Sequence, residues 1–453
     1  MKVKKIFYKF SSLIILALMA LSLYQVDRLW LEEATGQSFL TSLFSQNAPL
    51  FDVSYYKYFR QPKRIITRVS YNRFDIAYSN LAENSSLMFF DEVILEILQN
   101  GQFRGTFELD YDVLNNDIII YEYAFIMNSS TFAEVYSQRN NVILAIERFD
   151  AVYILEDRVY FVDSENNLMH RYTVSAAVLN AERLLAEISQ AKNNSSISYA
   201  SSRLLELNTE KNLFFPIWQN GEYSVYNPIR IRTSYYQYGD LTKANLLRNI
   251  RFLFDNPESV WDTTDISERL TFSNNHAVVR YLENDIVDFT NYRVNQQNRG
   301  ASFLDDFAQA ISFIKADNMM VNEIYLMGYE EIGSIRTFYF GYVHNNQRIL
   351  LTDHDFGIAV TVIGGTLTRY RKLAYTFETA TEVNREARRD ILSILDEMEA
   401  GGLDIARINF GYRVPFLEKD EYGKQLGLTI GIVDIYGYEI YLAPAIINTE
   451  PEF

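Results

Sequence analysis

The sequence predicts an α+β chain: an N-terminal transmembrane helix, then about three extracellular domains of helices packed on antiparallel sheets. Three observations carry this. The run Phe10 to Val26 is apolar and uncharged, and Lys2, Lys4, Lys5 and Lys9 precede it with no acidic residue before Asp27. Beyond it, segments of helical period give way to segments of period-two strand pattern, and the succession recurs. A glycine pair, Gly364-Gly365, stands where one strand turns into the next. Helices followed by antiparallel meanders place the helices on one face of each sheet.

At about 1.5 Å per residue the apolar run spans roughly 25 Å, near the lower limit for crossing a bilayer, and snorkelling by Lys9 extends it. The lysines put their own flank in the cytoplasm and the residues after about Arg28 outside. Tyr24 and Trp30 stand as interfacial aromatics. Ala20-Leu21-Ser22 also fits a small-residue cleavage site, so a cleaved signal peptide is the rival reading. Residues 1–30 are thus the cytoplasmic tail and anchor of a single-pass protein of the cell membrane.

Residues 36–200 form the expected N-terminal extracellular domain. A helix runs over Asp91 to Gln99 and stops at Asn100-Gly101; strands cover Ala151 to Leu155 and Val159 to Val162; a second helix covers Leu179 to Ile188. Gln190 to Ser202 and Asn291 to Ser302 are polar and read as linkers or long loops. Between them, residues 201–295 form a middle α+β domain. Leu246, Leu247, Ile250, Leu253 and Phe254 recur at helical spacing after Thr242, and Asp255-Asn256-Pro257 ends the pattern. Strands follow near Glu268 to Phe272, Ala277 to Leu282 and Ile286 to Arg293.

Residues 296–453 form the C-terminal α+β domain. Ser302 and Asp305 have capping-box spacing, and Leu304, Phe307, Ile311 and Ile314 share one helical face. Phe338, Phe340 and Tyr342 line one strand face, Ile358, Val360 and Val362 another, and Gly364-Gly365 turns the second strand into Thr366 to Tyr375. A helix is expected over about Thr381 to Ala400, ending at Gly401-Gly402. Strands near Ile405 to Pro415, Gly427 to Ile435 and Tyr438 to Leu442 close the chain.

Composition narrows the function. The 453 residues carry a net charge of −16, and the part beyond the leading lysines is more acidic still. Nucleic acid is excluded as a partner, because binding it needs concentrated Lys and Arg. Cysteine is absent, which removes disulfides, thiolate chemistry and cysteine–zinc sites. The chain holds only four histidines, His170, His276, His344 and His354, and none stands in a metal-ligand pattern. In Asp353-His354-Asp355 the two carboxylates face away from the imidazole if the segment is extended, so it reads as a polar turn in the Arg348 to Gly357 loop. Glu330-Glu331 and Asp305-Asp306 supply adjacent acids, but with 58 acidic residues such pairs arise by chance as solvated faces or caps. No serine elbow, phosphate loop or dinucleotide fingerprint is present. The expected site therefore has no catalytic residue, no cofactor and no metal.

One segment runs against the acidic background. Lys57, Arg60, Lys63, Arg64 and Arg68 cluster around Pro62 in an aromatic stretch. They read either as a contact for anionic headgroups or an acidic partner surface, or as charges guarding an exposed strand edge.

The lysine-flanked anchor, the cysteine-free outer part, and the succession from Lys243–Val260 (KANLLRNIRFLFDNPESV) into Glu268–Tyr292 (ERLTFSNNHAVVRYLENDIVDFTNY) resemble the YycH/YycI family of Firmicute regulatory proteins. The paired strands around INFGYRVP (Ile408 to Pro415) and GYEIYLAP (Gly437 to Pro444) are similar to that family's last domain. The family's N-terminal domain is not recognisable in residues 36–200 beyond helix and strand content. The resemblance implies a non-enzymatic regulator. Its implied partners are an essential sensor histidine kinase of a two-component system controlling cell-wall metabolism and a second YycI-like or YycH-like bitopic protein. Contacts would run through the transmembrane helix, where Ser12, Ala17 and Ala20 are the small residues available for close packing, and through the outer domains, where Lys57, Arg60, Lys63 and Arg64 are the candidates. An extracellular scaffold or adhesion protein without kinase contact is the alternative, and a wall-modifying hydrolase ranks behind both.

Overall fold

β-branched and aromatic residues alternating with polar ones put most of the described residues into strands. In the computed structural model the described residues are 53–78, 85–136, 145–192, 198–207 and 212–217, then 270–282, 286–293, 301–317, 323–345, 347–351 and 355–379, with shorter pieces between and beyond these out to Ile447. They form an α+β structure of mainly antiparallel sheets with few helices. The anchor run, with Ser12, Ala17 and Ala20, lies outside the described residues; among those described, no helix is long and apolar enough to cross a membrane.

Nine strands make the first sheet: β1 (Arg64–Ser70), β2 (Arg73–Tyr78), β3 (Gln102–Glu108), β4 (Ile119–Asn128), β5 (Arg148–Ile154), β6 (Val159–Asp163), β7 (Leu168–Thr173), β8 (Ser198–Ser201) and β9 (Phe214–Ile217). Their order is β3-β7-β6-β5-β4-β1-β2-β8-β9, antiparallel throughout. Four helices accompany it: α1 (Lys57–Arg60), α2 (Ser85–Asn100), α3 (Ser129–Val135) and α4 (Ala181–Lys192). The predicted helix at Asp91 is α2, which begins six residues earlier and buries Phe89, Phe90, Val93, Ile94 and Ile97 at helical spacing. Gly101 follows its last residue, where a Cβ would stand 2.7 Å from the Cα of Ile97, so only glycine fits there.

The polar segment 190–202 is not simply a linker. Ser198–Ser201 is β8, and Ser201 and Ser202 are fully buried. Their hydroxyls are satisfied locally: Ser201 donates to Asn212 Oδ1 at 2.6 Å, and Ser202 Oγ accepts from the Leu213 amide at 2.8 Å. Small polar side chains with near partners can line a core, which is why polarity misled here.

Downstream come β10 (Tyr223–Tyr226), β11 (Ile229–Thr233), β12 (Trp261–Thr264), β13 (Leu270–Ser273), β14 (Ala277–Leu282) and β15 (Ile286–Asn291). Helix α5 (Phe303–Ala316) precedes β16 (Glu323–Ile332), β17 (Ile335–His344), β18 (Gln347–Leu351), β19 (Ile358–Ile363), β20 (Thr366–Leu373) and β21 (Tyr375–Thr379). The last are β22 (Asn384–Ala387), β23 (Ile405–Val414), β24 (Gln425–Leu426), β25 (Leu428–Asp434), β26 (Glu439–Tyr441) and β27 (Ile446–Ile447). A 12-stranded sheet runs β12-β13-β14-β15-β20-β19-β17-β18-β23-β25-β26, with β16 paired to β17. The β18–β23 pairing is parallel. A four-stranded sheet, β21-β11-β24-β27, and the β10–β22 pair complete the set. Hydrogen bonding crosses both sequence-derived boundaries, since β8 pairs with β9 and β15 pairs with β20.

Two expectations need correcting. The predicted helix over Thr381 to Ala400 opens instead with a strand, β22, pairing with β10, so tertiary pairing overrides helical spacing there; Leu395 is helical and buried. The expected Arg348 to Gly357 loop opens with most of β18. Of the helix expected after Thr242, Leu247 and Ile250 are helical, Arg251–Leu253 is a 3-10 turn, Phe254 is already extended, and the others lie outside the described residues.

Helix α5 has the predicted capping box. Ser302 Oγ accepts from the Asp305 amide at 3.1 Å, and Asp305 accepts from the Ser302 amide at 3.1 Å. Its buried face packs on the large sheet, with Phe307 edge-on to Phe338 at 5.3 Å and Phe313 against Tyr370 at 5.1 Å. The same helix joins the two large sheets. Phe59 of α1 lies 5.4 Å from both Phe303 and Phe307, and Phe125 of β4 lies 5.5 Å from Tyr329 of β16. Each such ring pair contributes about 0.5–1.5 kcal/mol beyond area burial, so the halves are held by a continuous aromatic seam.

Candidate functional site

The basic segment 57–68 folds inward. Lys57 stands 5.5 Å from the Tyr58 ring centroid. Arg60 pairs with Asp91 at 3.1 Å and lies over the Tyr136 ring, while the Tyr136 hydroxyl donates to Asp91 at 2.7 Å. Burial pushes the Asp91 carboxyl above its ordinary value, and Arg60 offsets only part of that. Arg68 donates to the Asn115 carbonyl. The strand-edge reading is also corrected: β1 lies between β2 and β4, so its charges guard no edge.

Lys63 and Arg64 meet Glu122 of β4. Arg64 Nη2 stands 2.7 Å from Glu122 and Lys63 Nζ 3.5 Å, with Lys63 20% exposed, Arg64 10% and Glu122 24%. Across the seam, the charge of Arg348 on β18 acts on Lys63 as well. Arg348 donates to the Tyr325 hydroxyl at 3.2 and 3.0 Å. Two cations therefore share one carboxylate, and a third acts on Lys63. Burial would raise the Glu122 pKa, but Arg64 and Lys63 outweigh it and hold it low. Lys63 is lowered to about 7, chiefly by burial, with Arg348 and Arg64 adding to the effect and Glu122 opposing it. Glu122 had one sequence signal, a single acid among Ile119, Ile120, Tyr121 and Tyr123.

The remaining polar candidates fasten the fold. His170 shares a hydrogen bond with Thr106 at 2.9 Å and His344 one with Thr379 at 3.1 Å; burial lowers both pKa values. His276 donates its amide to Asn274. Glu330 accepts from Tyr339 at 2.9 Å and Glu331 from Arg336 at 2.8 Å. Asp305 caps α5, while Asp306 accepts from Arg336 at 2.5 Å and from the Gly365 amide at 2.7 Å. Asp353 and His354 lie outside the described residues. Among the described residues no group of three His, Asp or Glu is placed to hold a metal.

What is open to contact is strand edge. β3 ends its sheet, so among the described residues one side of it has no strand neighbour, and six of its seven residues are exposed. Phe103 is 40% exposed and Phe107 45%. A β-bulge between Phe103 and Gly105, with Gly105 at φ 126°, sends the two rings to opposite faces: Phe103 sits opposite Tyr172 and Phe107 opposite Met169. The tip of the β16–β17 hairpin likewise exposes Ile332 and Ile335 around Gly333. The alternation in QFRGTFE marks β3 as a strand, but its place at the edge is a property of the topology.

No family model, curated protein or solved structure matches the chain at a significant level.

Proposed function

We propose that this chain is a non-enzymatic extracytoplasmic regulator, anchored once in the cell membrane with its N-terminus in the cytoplasm and most of the chain outside. It modulates a membrane sensor histidine kinase of a two-component system controlling cell-wall metabolism, beside a second YycI-like or YycH-like bitopic protein. The observation that carries the contact mechanism is the open β3 edge with its two exposed phenylalanines. Such an edge accepts a partner's strand by main-chain hydrogen bonds, with side chains above and below supplying specificity. The lysine-flanked apolar run supports the anchor, and Ser12, Ala17 and Ala20 supply its small contact residues. A kinase with two helix arrangements is shifted by a neighbour that binds one of them better, by the difference in binding free energy.

The test is affinity purification of the full chain from gently solubilised membranes, beside two variants. One has residues 1–26 replaced by an unrelated anchor; the other carries Phe103→Lys with Phe107→Lys. Recovery of a sensor kinase or a second bitopic protein with the native chain, and its loss in either variant, supports the reading and locates the contact. Recovery of neither partner with the native chain overturns it and favours a scaffold or adhesion role.

A further inference from the structure

The large sheet carries a cleft of about 170 Å³ lined by Ile286, Asp355, Phe356, Gly357, Arg371 and Leu373, with Lys372 between the last two. Register sets its charge. β14, β15 and β20 bring Arg280, Asp288 and Arg371 into one cross-strand row. Asp288 is already occupied, because Arg369 reaches its two oxygens with Nε at 3.1 Å and Nη2 at 2.8 Å. Lys372 turns its side chain to the opposite face, where it is buried and paired with Asp317. Arg371 is left with no carboxylate among the described residues, its guanidinium 5.9 Å from the Phe356 ring centroid. Asp355 lines the same cleft and is exposed, yet closes no ion pair with Arg371.

Two opposite charges are thus held apart in one small cleft with an aromatic wall. A ligand carrying both charges can bridge them without displacing an internal ion pair. The volume is close to that of a cavity holding a benzene-sized molecule, about 150 Å³, which suits a ligand of a few heavy atoms.

We propose that this cleft binds a small zwitterion of the amino-acid type, with its carboxylate on Arg371, its ammonium on Asp355 and its carbon atoms against Phe356 and Ile286. Charge-assisted hydrogen bonds at both ends give the selectivity, and the ring strengthens the guanidinium end by holding it in place. The site stands independently of the regulatory reading; for such a regulator it supplies a small-molecule input.

The test is calorimetric titration of the full-length chain with glycine, acetate and methylammonium as separate probes. Glycine is expected to bind saturably, at least about tenfold more tightly than either single-charge probe. Arg371→Gln and Asp355→Asn should each weaken glycine about tenfold, and Asp355→Asn should bring acetate level with glycine. Melting temperatures should move little, because Asp355 is exposed and Arg371 contributes a single ring contact to Phe356. No saturable glycine binding, acetate equal to glycine in the native chain, or full glycine affinity in Arg371→Gln would each overturn the assignment. Partner recovery in the purification is unaffected by Arg371→Gln if the two proposals are independent.

Discussion

Replacing Glu122 by Gln tests the charged seam most directly. The substitution keeps the shape and removes the single carboxylate that Arg64 and Lys63 share at 2.7 and 3.5 Å. Because all three side chains are less than a quarter exposed, solvent replaces little of the lost attraction. Breaking a largely buried pair from one side costs about 3–5 kcal/mol, and partial exposure places the expectation near 3 kcal/mol. Lys63→Met should be neutral or stabilising, since it removes the cation held against Arg64 and Arg348. Lys63 also predicts a pH dependence. Its folded pKa, about 7, lies below its ordinary 10.5, so between these values the unfolded chain binds a proton that the folded chain does not. Stability contributed at this position is therefore lowest below pH 7 and rises towards pH 10.5, by up to about 1.4 kcal/mol per pH unit. Urea unfolding followed by intrinsic fluorescence measures both effects. A Glu122→Gln loss under 1 kcal/mol, or the same stability–pH slope in the native chain and Lys63→Met, would refute the reasoning.

Other outcomes follow from single contacts. Ser302→Ala removes half of the α5 capping box and should cost about 1 kcal/mol, read from the urea midpoint. Phe307→Ala empties a fully buried site between Phe59, Phe338 and Phe340 and should cost about 3–5 kcal/mol, with faster amide exchange on both sides of the seam. Asp317→Asn strands the Lys372 ammonium, which burial already lowers in pKa, and should cost about 3 kcal/mol by chemical denaturation. The Asp317→Leu, Lys372→Met double variant should recover most of that loss.

The elements that were legible in the sequence are those in which local pattern and burial agree. Phe338, Phe340 and Tyr342, and Ile358, Val360 and Val362, are all fully buried on the faces their alternation gives. Gly364 and Gly365 turn with φ of 54° and 78°, a backbone that glycine adopts freely. Ser302 and Asp305 cap α5 as their spacing requires. Misreadings arose where distant partners decide. Ser201 and Ser202 are polar yet buried because Asn212 and Leu213 satisfy them. Asn384–Ala387 is extended because β10 pairs with it. Arg64 reads as a surface charge until β4 brings Glu122 beside it, and no spacing in the sequence announces that meeting. The cleft at Arg371 was hidden for the same reason, since its lining comes from three separated segments.

The parallel ladder of Arg348–Leu351 with Gly411–Val414 sets an order of events. β18 is tied to its upstream neighbour β17 by only two residue pairs, around the turn at Asn345. Its other ladder waits for a segment made much later, and such distant closure is slow. During synthesis Gln347–Leu351 therefore remains an open template, with Ile349 and Leu350 presented to any strand that passes. A chain cut short before Gly411 keeps that template permanently, so nascent fragments of this protein should aggregate while the finished chain does not.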